Sequence, residues 1–150
     1  MHLGSVYLIV RDFNKSIRFY EQLLEIPVTR RNKDRFAQFI FDQQNISLMN
    51  GYFDTEHTDQ VVRKGSYDIE FDDMGRIADA VNTNKFVLNF WTEDLRIERQ
   101  RIMAAGFADK VTSVKYINAG QPYYYFQVMD PDNNIIEITG SYVPGKGELE

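Results

Sequence analysis

The stretch QVMDPDNNIIEITG, residues 127 to 140, has the pattern of a strand, a turn and a second strand, and one carboxylate of the second strand, Glu137, stands among isoleucines. A carboxylate in an apolar strand needs water or a hydrogen-bonding partner, because burying an unpaired charge is strongly unfavourable. Side chains alternate between the two faces of a strand, so Ile136 and Ile138 predict the core face and Glu137 and Thr139 the opposite, open face.

Glu137 has two candidate roles, which the residues alone leave open. It could be the charged anchor of a bound ligand, or it could accept a structural hydrogen bond from Ser5, Ser47 or a tyrosine hydroxyl. The preceding DPDNN predicts a tight turn, because Asp, Pro and Asn favour turn dihedral angles.

The same alternation along the other strand candidates predicts a set of side chains that share the open face. In Pro122–Met129 it places Tyr124, Phe126 and Val128 in the core, unless a bulge reverses the pattern. The predicted ligand-binding set is Ser5, Tyr7, Ser47, Met49, Asn89, Trp91, Tyr123, Tyr125 and Glu137.

This predicted face is rich in aromatic rings and carries one carboxylate. Aromatic faces stack on planar molecules and attract cations, with about 0.5 to 2 kcal/mol per contact. The set therefore predicts an aromatic or cationic small-molecule ligand. The structural alternative is that the aromatics fill the face themselves or contact a partner subunit.

The composition excludes several classes of function. Seventeen basic and 22 acidic residues give a net charge of -5, without the basic cluster that nucleic-acid binding requires. The absence of cysteine excludes disulfides and thiolate chemistry. No signal peptide or membrane-spanning stretch is recognisable, so we expect a cytoplasmic protein with no membrane partner. No Ser-His-Asp set or phosphate-binding glycine loop appears.

The elements that must position these residues repeat along the chain. Strand, helix and three strands are predicted at 5–10, the segment DFNKSIRFYEQLLEI, 27–31, 35–41 and 45–49, and again at 85–92, 94–106, 113–117, 122–129 and 134–139. A shift of 82 residues lays Asp12 on Asp94, and Gly106 predicts a left-handed end to the second helix.

This order predicts an α+β fold of two βαβββ modules that form a concave mixed sheet, with the helices on its outer face. The modules are 1–49 and 85–142, followed by a tail, 143–150. A connecting segment, 50–84, is predicted to contain an extra strand in SYDIEF and a short helix in GRIADAVNTN.

Two sequence stretches, VRDFNKSIRFYEQLL and FQVMDPDNNIIEI, together with the repeated module, resemble the vicinal oxygen chelate superfamily. This superfamily includes glyoxalase I, extradiol dioxygenases and bleomycin-resistance proteins. One departure is Glu25, where the family usually ends the first helix with glycine, and the helix end is therefore expected to differ.

The resemblance implies four metal-ligand positions, which in this chain are Ser5, Ser47, Val87 and Glu137. Enzymes of the family place His or Gln, Glu, His and Glu at these positions. A divalent transition metal needs several imidazole or carboxylate donors, so we predict no metal cofactor and no catalytic residues.

Two histidines could in principle replace missing ligands. His2 is predicted on the strand face opposite Ser5, and His57 with Glu56 lies in the polar connecting segment, where solvation is expected.

Three functional hypotheses follow. The preferred one, which resembles the bleomycin-resistance branch, is a metal-independent homodimer that sequesters an aromatic or cationic compound. The alternatives are a lyase, isomerase or dioxygenase of the family with an atypical metal site, and a dimerisation module with a closed cleft.

Overall fold

The computed structural model describes residues 6–62, 69–81, 86–118 and 122–146. The chain divides into two compact units, Met1–Val81 and Asn82–Glu150. Each unit contains a four-stranded mixed sheet with a helix between its first and second strands, which confirms the predicted α+β class and the two βαβββ modules.

The first unit has strand order β1-β4-β3-β2, with β1 and β4 parallel and the other pairs antiparallel. Its elements are β1 Val6–Val10, α1 Phe13–Leu24, β2 Arg30–Asn32, β3 Phe36–Phe41 and β4 Gln44–Asn50. Strand β2 begins three residues later than predicted. Asp42 and Gln43 both have positive φ, 44° and 59°, and form the two-residue turn between β3 and β4.

The second unit has the equivalent order β5-β8-β7-β6, again with one parallel pair, β5 and β8. Its elements are β5 Leu88–Thr92, α5 Leu95–Ala105, β6 Lys115–Asn118, β7 Pro122–Met129 and β8 Ile135–Gly140. Strand β5 starts 82 residues after β1, so the repeat register is confirmed. Residue 85, the predicted start of this strand, lies outside the described residues.

The two long helices begin in the same way. The carboxylate of Asp12 accepts a hydrogen bond from the Lys15 backbone N–H, and the carboxylate of Asp94 accepts from Arg96 and Ile97. These bonds satisfy backbone donors that a helix start leaves unpaired.

The helices also end in the same way, despite different residues. Gly106 has the predicted left-handed conformation, φ 65°, and Glu25 has φ 55° at the corresponding end of α1. The expectation that the non-glycine residue would change this end is therefore wrong. Glu25 adopts the conformation that glycine would adopt with less strain.

The connecting segment packs on the first unit. Arg35 donates two hydrogen bonds to Asp54, at 2.7 and 3.1 Å, and the buried Asp54 carboxylate raises the pKa of the Arg35 guanidinium. A Cβ at Gly51 would lie 2.6 Å from the Cβ of Ala78, so only glycine fits this approach.

Helices complete the described part of this segment: α2 Phe53–Glu56, a 3-10 turn at Thr58–Gln60, α3 Ile69–Asp72 and α4 Met74–Asp79. Helix α4 confirms the short helix predicted in GRIADAVNTN. The strand predicted in SYDIEF is wrong from Ile69 onward, where the chain is helical. Its first residues, 66–68, lie outside the described part.

Within the four described ranges, none of the helices has the length and apolar character needed to cross a membrane.

A matched pair of substitutions tests the two helix ends. Gly106→Ala should lower the free energy of unfolding by about 1 kcal/mol, because a residue with a side chain is strained at positive φ. The change should report this strain alone, since no atom lies within 4 Å of the new Cβ. Glu25→Gly should raise it by roughly 0.5 kcal/mol for the opposite reason. Urea denaturation measures the free energy of unfolding of both variants. A change of the same sign in the two variants would contradict this account of the helix ends.

Candidate functional site

Glu137 lies on the face of the second sheet that is opposite to α5. Helix α5 packs on β7 and β8, and its Leu95 and Ile102 are fully buried. The neighbours of Glu137 on β8, Ile136 and Ile138, are also buried, at 0% and 2% exposed. The predicted alternation in β8 is therefore confirmed, and the Glu137 side chain is half-buried on the open face.

The register between strands places polar partners beside this carboxylate. Glu137 is paired with Asn89 on β5 and with Gln127 on β7, so the three side chains form one row across the sheet. The strands are regular here, and Phe126 and Val128 are buried as predicted, so the bulge left open by the sequence does not occur.

A closed triangle of hydrogen bonds fixes the carboxylate. Asn89 Nδ2 donates to Glu137 Oε1 at 2.9 Å and to the Tyr123 hydroxyl at 3.1 Å, and the Tyr123 hydroxyl donates to the same Oε1 at 2.8 Å. Both donors are neutral, and among the described residues Oε2 accepts no hydrogen bond. The triangle therefore orients the carboxylate without neutralising its charge.

The predicted aromatics of the second unit are Tyr123, which belongs to the triangle, and Tyr125 and Trp91, which lie on the same face. Tyr123 and Tyr125 are half-buried, with ring centroids 5.6 Å apart. Trp91 is 67% exposed, and its ring contacts no other aromatic ring in the described ranges. Trp91 and Tyr125 are both paired with Thr139, so they lie on either side of one β8 residue.

One residue of this face was missed from the sequence. Lys115 is paired with Tyr125, and its ammonium donates to Gln127 Oε1 at 2.9 Å and lies 5.9 Å from the centre of the Tyr125 ring. The signal that could have found it is alternation along β6, which places Lys115 on the same face as its cross-strand partner Tyr125.

The first unit presents the remaining predicted residues differently. Tyr7 is 51% exposed and its ring contacts Phe36, whereas Ser47 and Met49 are 0% and 7% exposed. The expected exposure of Ser47 and Met49 is therefore wrong, although both alternate with core residues as predicted. Their role in ligand binding stays a prediction. Ser5 lies outside the described residues.

The positions that the resemblance implies for a metal do not fit one. The Ser47 hydroxyl is buried and accepts a hydrogen bond from Gln38 at 3.3 Å, Val87 has no donor atom, and Oε1 of Glu137 is already used twice. In the described ranges no three His, Asp or Glu side chains form a group that could hold a metal ion.

Of the possible replacement ligands, the structure describes His57 and Glu56. His57 stacks on Phe53, with ring centroids 4.3 Å apart, and its Nδ1 lies 3.2 Å from the Phe53 carbonyl oxygen. The neighbouring Glu56 is exposed as expected, while His57 is half-buried, contrary to the expected solvation. His2 lies outside the described residues.

Known structures share this fold. A glyoxalase/bleomycin resistance protein/dioxygenase family enzyme from Burkholderia phytofirmans has a TM-score of 0.62 at 18% identity, covering 95% of this chain and 100% of its own. A lactoylglutathione lyase from Agrobacterium tumefaciens has a TM-score of 0.60 at 14% identity, covering 93% of each chain. A virulence protein from Salmonella typhimurium has a TM-score of 0.60 at 21% identity, covering 95% of this chain and 98% of its own. At these identities the likeness shows the fold alone.

The sequence itself identifies the family. No curated protein matches the chain significantly. The model of the Glyoxalase/Bleomycin resistance protein/Dioxygenase superfamily, however, matches residues 2–138. That match covers most of the chain, from before β1 into β8, so this protein belongs to the Glyoxalase/Bleomycin resistance protein/Dioxygenase superfamily.

Proposed function

We propose that this protein binds and sequesters an aromatic or cationic small molecule without a metal ion, using the open face of the second sheet. The observation that carries the proposal is the oriented carboxylate of Glu137. It has only neutral hydrogen-bond donors and lies beside exposed aromatic surface, and this combination can recognise a cation on an aromatic or aliphatic scaffold.

The hydrogen bonds around Glu137 prepare it for this role. Since Asn89 and Tyr123 both bind Oε1, the carboxylate cannot rotate freely, and Oε2 is the oxygen left for a ligand. Fixing a binding group before the ligand arrives reduces the ordering cost of association.

Trp91 supplies the aromatic part of the proposed site. Trp91 is 67% exposed and lies two residues after Asn89 along β5, on the same face of the sheet. A planar ligand could stack on this surface while its cationic group contacts Glu137. Tyr123 and Tyr125 extend the aromatic surface on the β7 side.

Binding is testable with the fluorescence of Trp91, the only tryptophan. Benzylammonium should quench this fluorescence and bind more tightly than benzyl alcohol, which has similar size and no charge. Glu137→Gln should weaken benzylammonium by about 1 to 3 kcal/mol and leave benzyl alcohol nearly unchanged, because glutamine keeps an oxygen acceptor for Asn89 and Tyr123 and loses only the charge.

Asp109→Asn is the matched control, since Asp109 is an exposed acid of the same unit outside the triangle. It should leave both affinities within error of the parent protein. Equal weakening of the two probes by Glu137→Gln, or unfolding of that variant, would make Glu137 a structural residue and contradict the proposal.

Metal independence has its own measurement. After purification without chelator, elemental analysis should find well under one equivalent of zinc, nickel, manganese or iron per chain, because three of the four family ligand positions carry Ser5, Ser47 and Val87. A stoichiometric, tightly bound transition metal would favour the alternative of a family enzyme with an atypical site.

We also propose that the protein forms a homodimer. Strand β6 is an edge of the second sheet and exposes Tyr116 and Ile117, at 47% and 52%, and exposed apolar edges are commonly covered by a partner. Sedimentation at micromolar concentration should show twice the mass of one 17.6 kDa chain. A single species at the monomer mass would contradict this assembly.

A further inference from the structure

The open face of the second sheet carries a cation as well as the Glu137 carboxylate. Lys115 is paired with Tyr125, so its side chain shares the face with Tyr125 and with Gln127, two residues along β7. Gln127 is in turn the cross-strand partner of Glu137. One amide side chain therefore lies between the two charged groups.

The two charged groups each have neutral partners. Lys115 binds the neutral Gln127 amide and the Tyr125 ring, and Glu137 binds the neutral Asn89 and Tyr123. In the ranges that the structure describes, no ion pair joins Lys115 to Glu137. Their strands, β6 and β8, lie on either side of β7 and are roughly 10 Å apart across the sheet. The Gln127 and Tyr125 side chains of β7 lie between them.

Separated, unpaired charges of opposite sign on one aromatic face make a dipolar surface. Gln127 is well suited to separate them, because its carbonyl oxygen accepts from the lysine and it can neither neutralise Lys115 nor repel Glu137. The Lys115 ammonium ends a flexible side chain at an exposed position, so an anionic ligand group can replace the single Gln127 bond with little loss.

We propose that the ligand of this face is a dipolar aromatic compound, with a cationic group that binds Glu137 and a carboxylate that binds Lys115. This inference rests on the proposed function, since it adds a second contact to the same site. It makes Lys115 a specificity residue: the lysine distinguishes a zwitterion from a simple cation of the same shape.

Two probes separate the contribution of the second charge. One is 4-(aminomethyl)benzoate, a zwitterion at neutral pH, and the other is 4-(aminomethyl)benzamide, which has nearly the same shape and only the cationic group. Titration calorimetry at low ionic strength should show the zwitterion binding about tenfold more tightly, and added salt should reduce this difference by screening.

Three variants assign the difference to residues. Lys115→Met retains the aliphatic stem and removes the charge, so it should abolish the preference by weakening the zwitterion alone. Lys110→Met, at an exposed lysine of the same unit outside the face, should preserve it. Glu137→Gln should weaken both probes, since both carry the cationic group.

The outcomes separate the two proposals. If the benzamide binds as tightly as the benzoate, or if Lys115→Met leaves the preference intact, the dipolar specificity is wrong while the Glu137-dependent binding of cations stands. If neither probe binds at millimolar concentration, or if binding is indifferent to Glu137→Gln, the proposed function fails and the dipolar specificity fails with it.

Discussion

A carboxylate between two buried isoleucines can point in only one direction. Ile136 and Ile138 are held in the core beneath α5, so the period-two geometry of β8 sends Glu137 to the other face of the sheet. The register of β8 with its neighbours then determines which side chains lie beside Glu137, because the parallel partner on β5 is Asn89 and the antiparallel partner on β7 is Gln127. The arrangement of the whole candidate site follows from this constraint.

The sequence could predict this arrangement wherever a strict pattern is set by the core. The order of the two modules, the helix caps at Asp12 and Asp94 and the faces of β7 and β8 all depend on local geometry that residue types encode directly. The turn after β7 is another case, since Asp130 accepts hydrogen bonds from the backbone N–H groups of Asp132 and Asn134.

Other features depended on packing that alternation does not describe. Ser47 and Met49 lie on the face opposite the core and are nevertheless buried, because the face of a strand residue does not determine what covers it. Residues 69–72 have the β-branched and aromatic character of a strand but form helix α3, next to α4, which packs on β1. The hydrogen bond from Tyr123 to Glu137 could not be predicted from strand pairing either. The partner of Glu137 on β7 is Gln127, and Tyr123 lies four residues before Gln127 along that strand.

The chain belongs to the superfamily, and of the four positions that the resemblance implies for metal ligands only Glu137 carries an acid. We propose that this acid, oriented by two neutral donors, binds a cation directly. The most direct measurement is a crystal structure of the protein with benzylammonium bound. The account predicts the ligand nitrogen within about 2.7 to 2.9 Å of Glu137 Oε2, with the Asn89 and Tyr123 bonds to Oε1 intact. A ligand bound elsewhere, or a second protein group occupying Oε2, would contradict it.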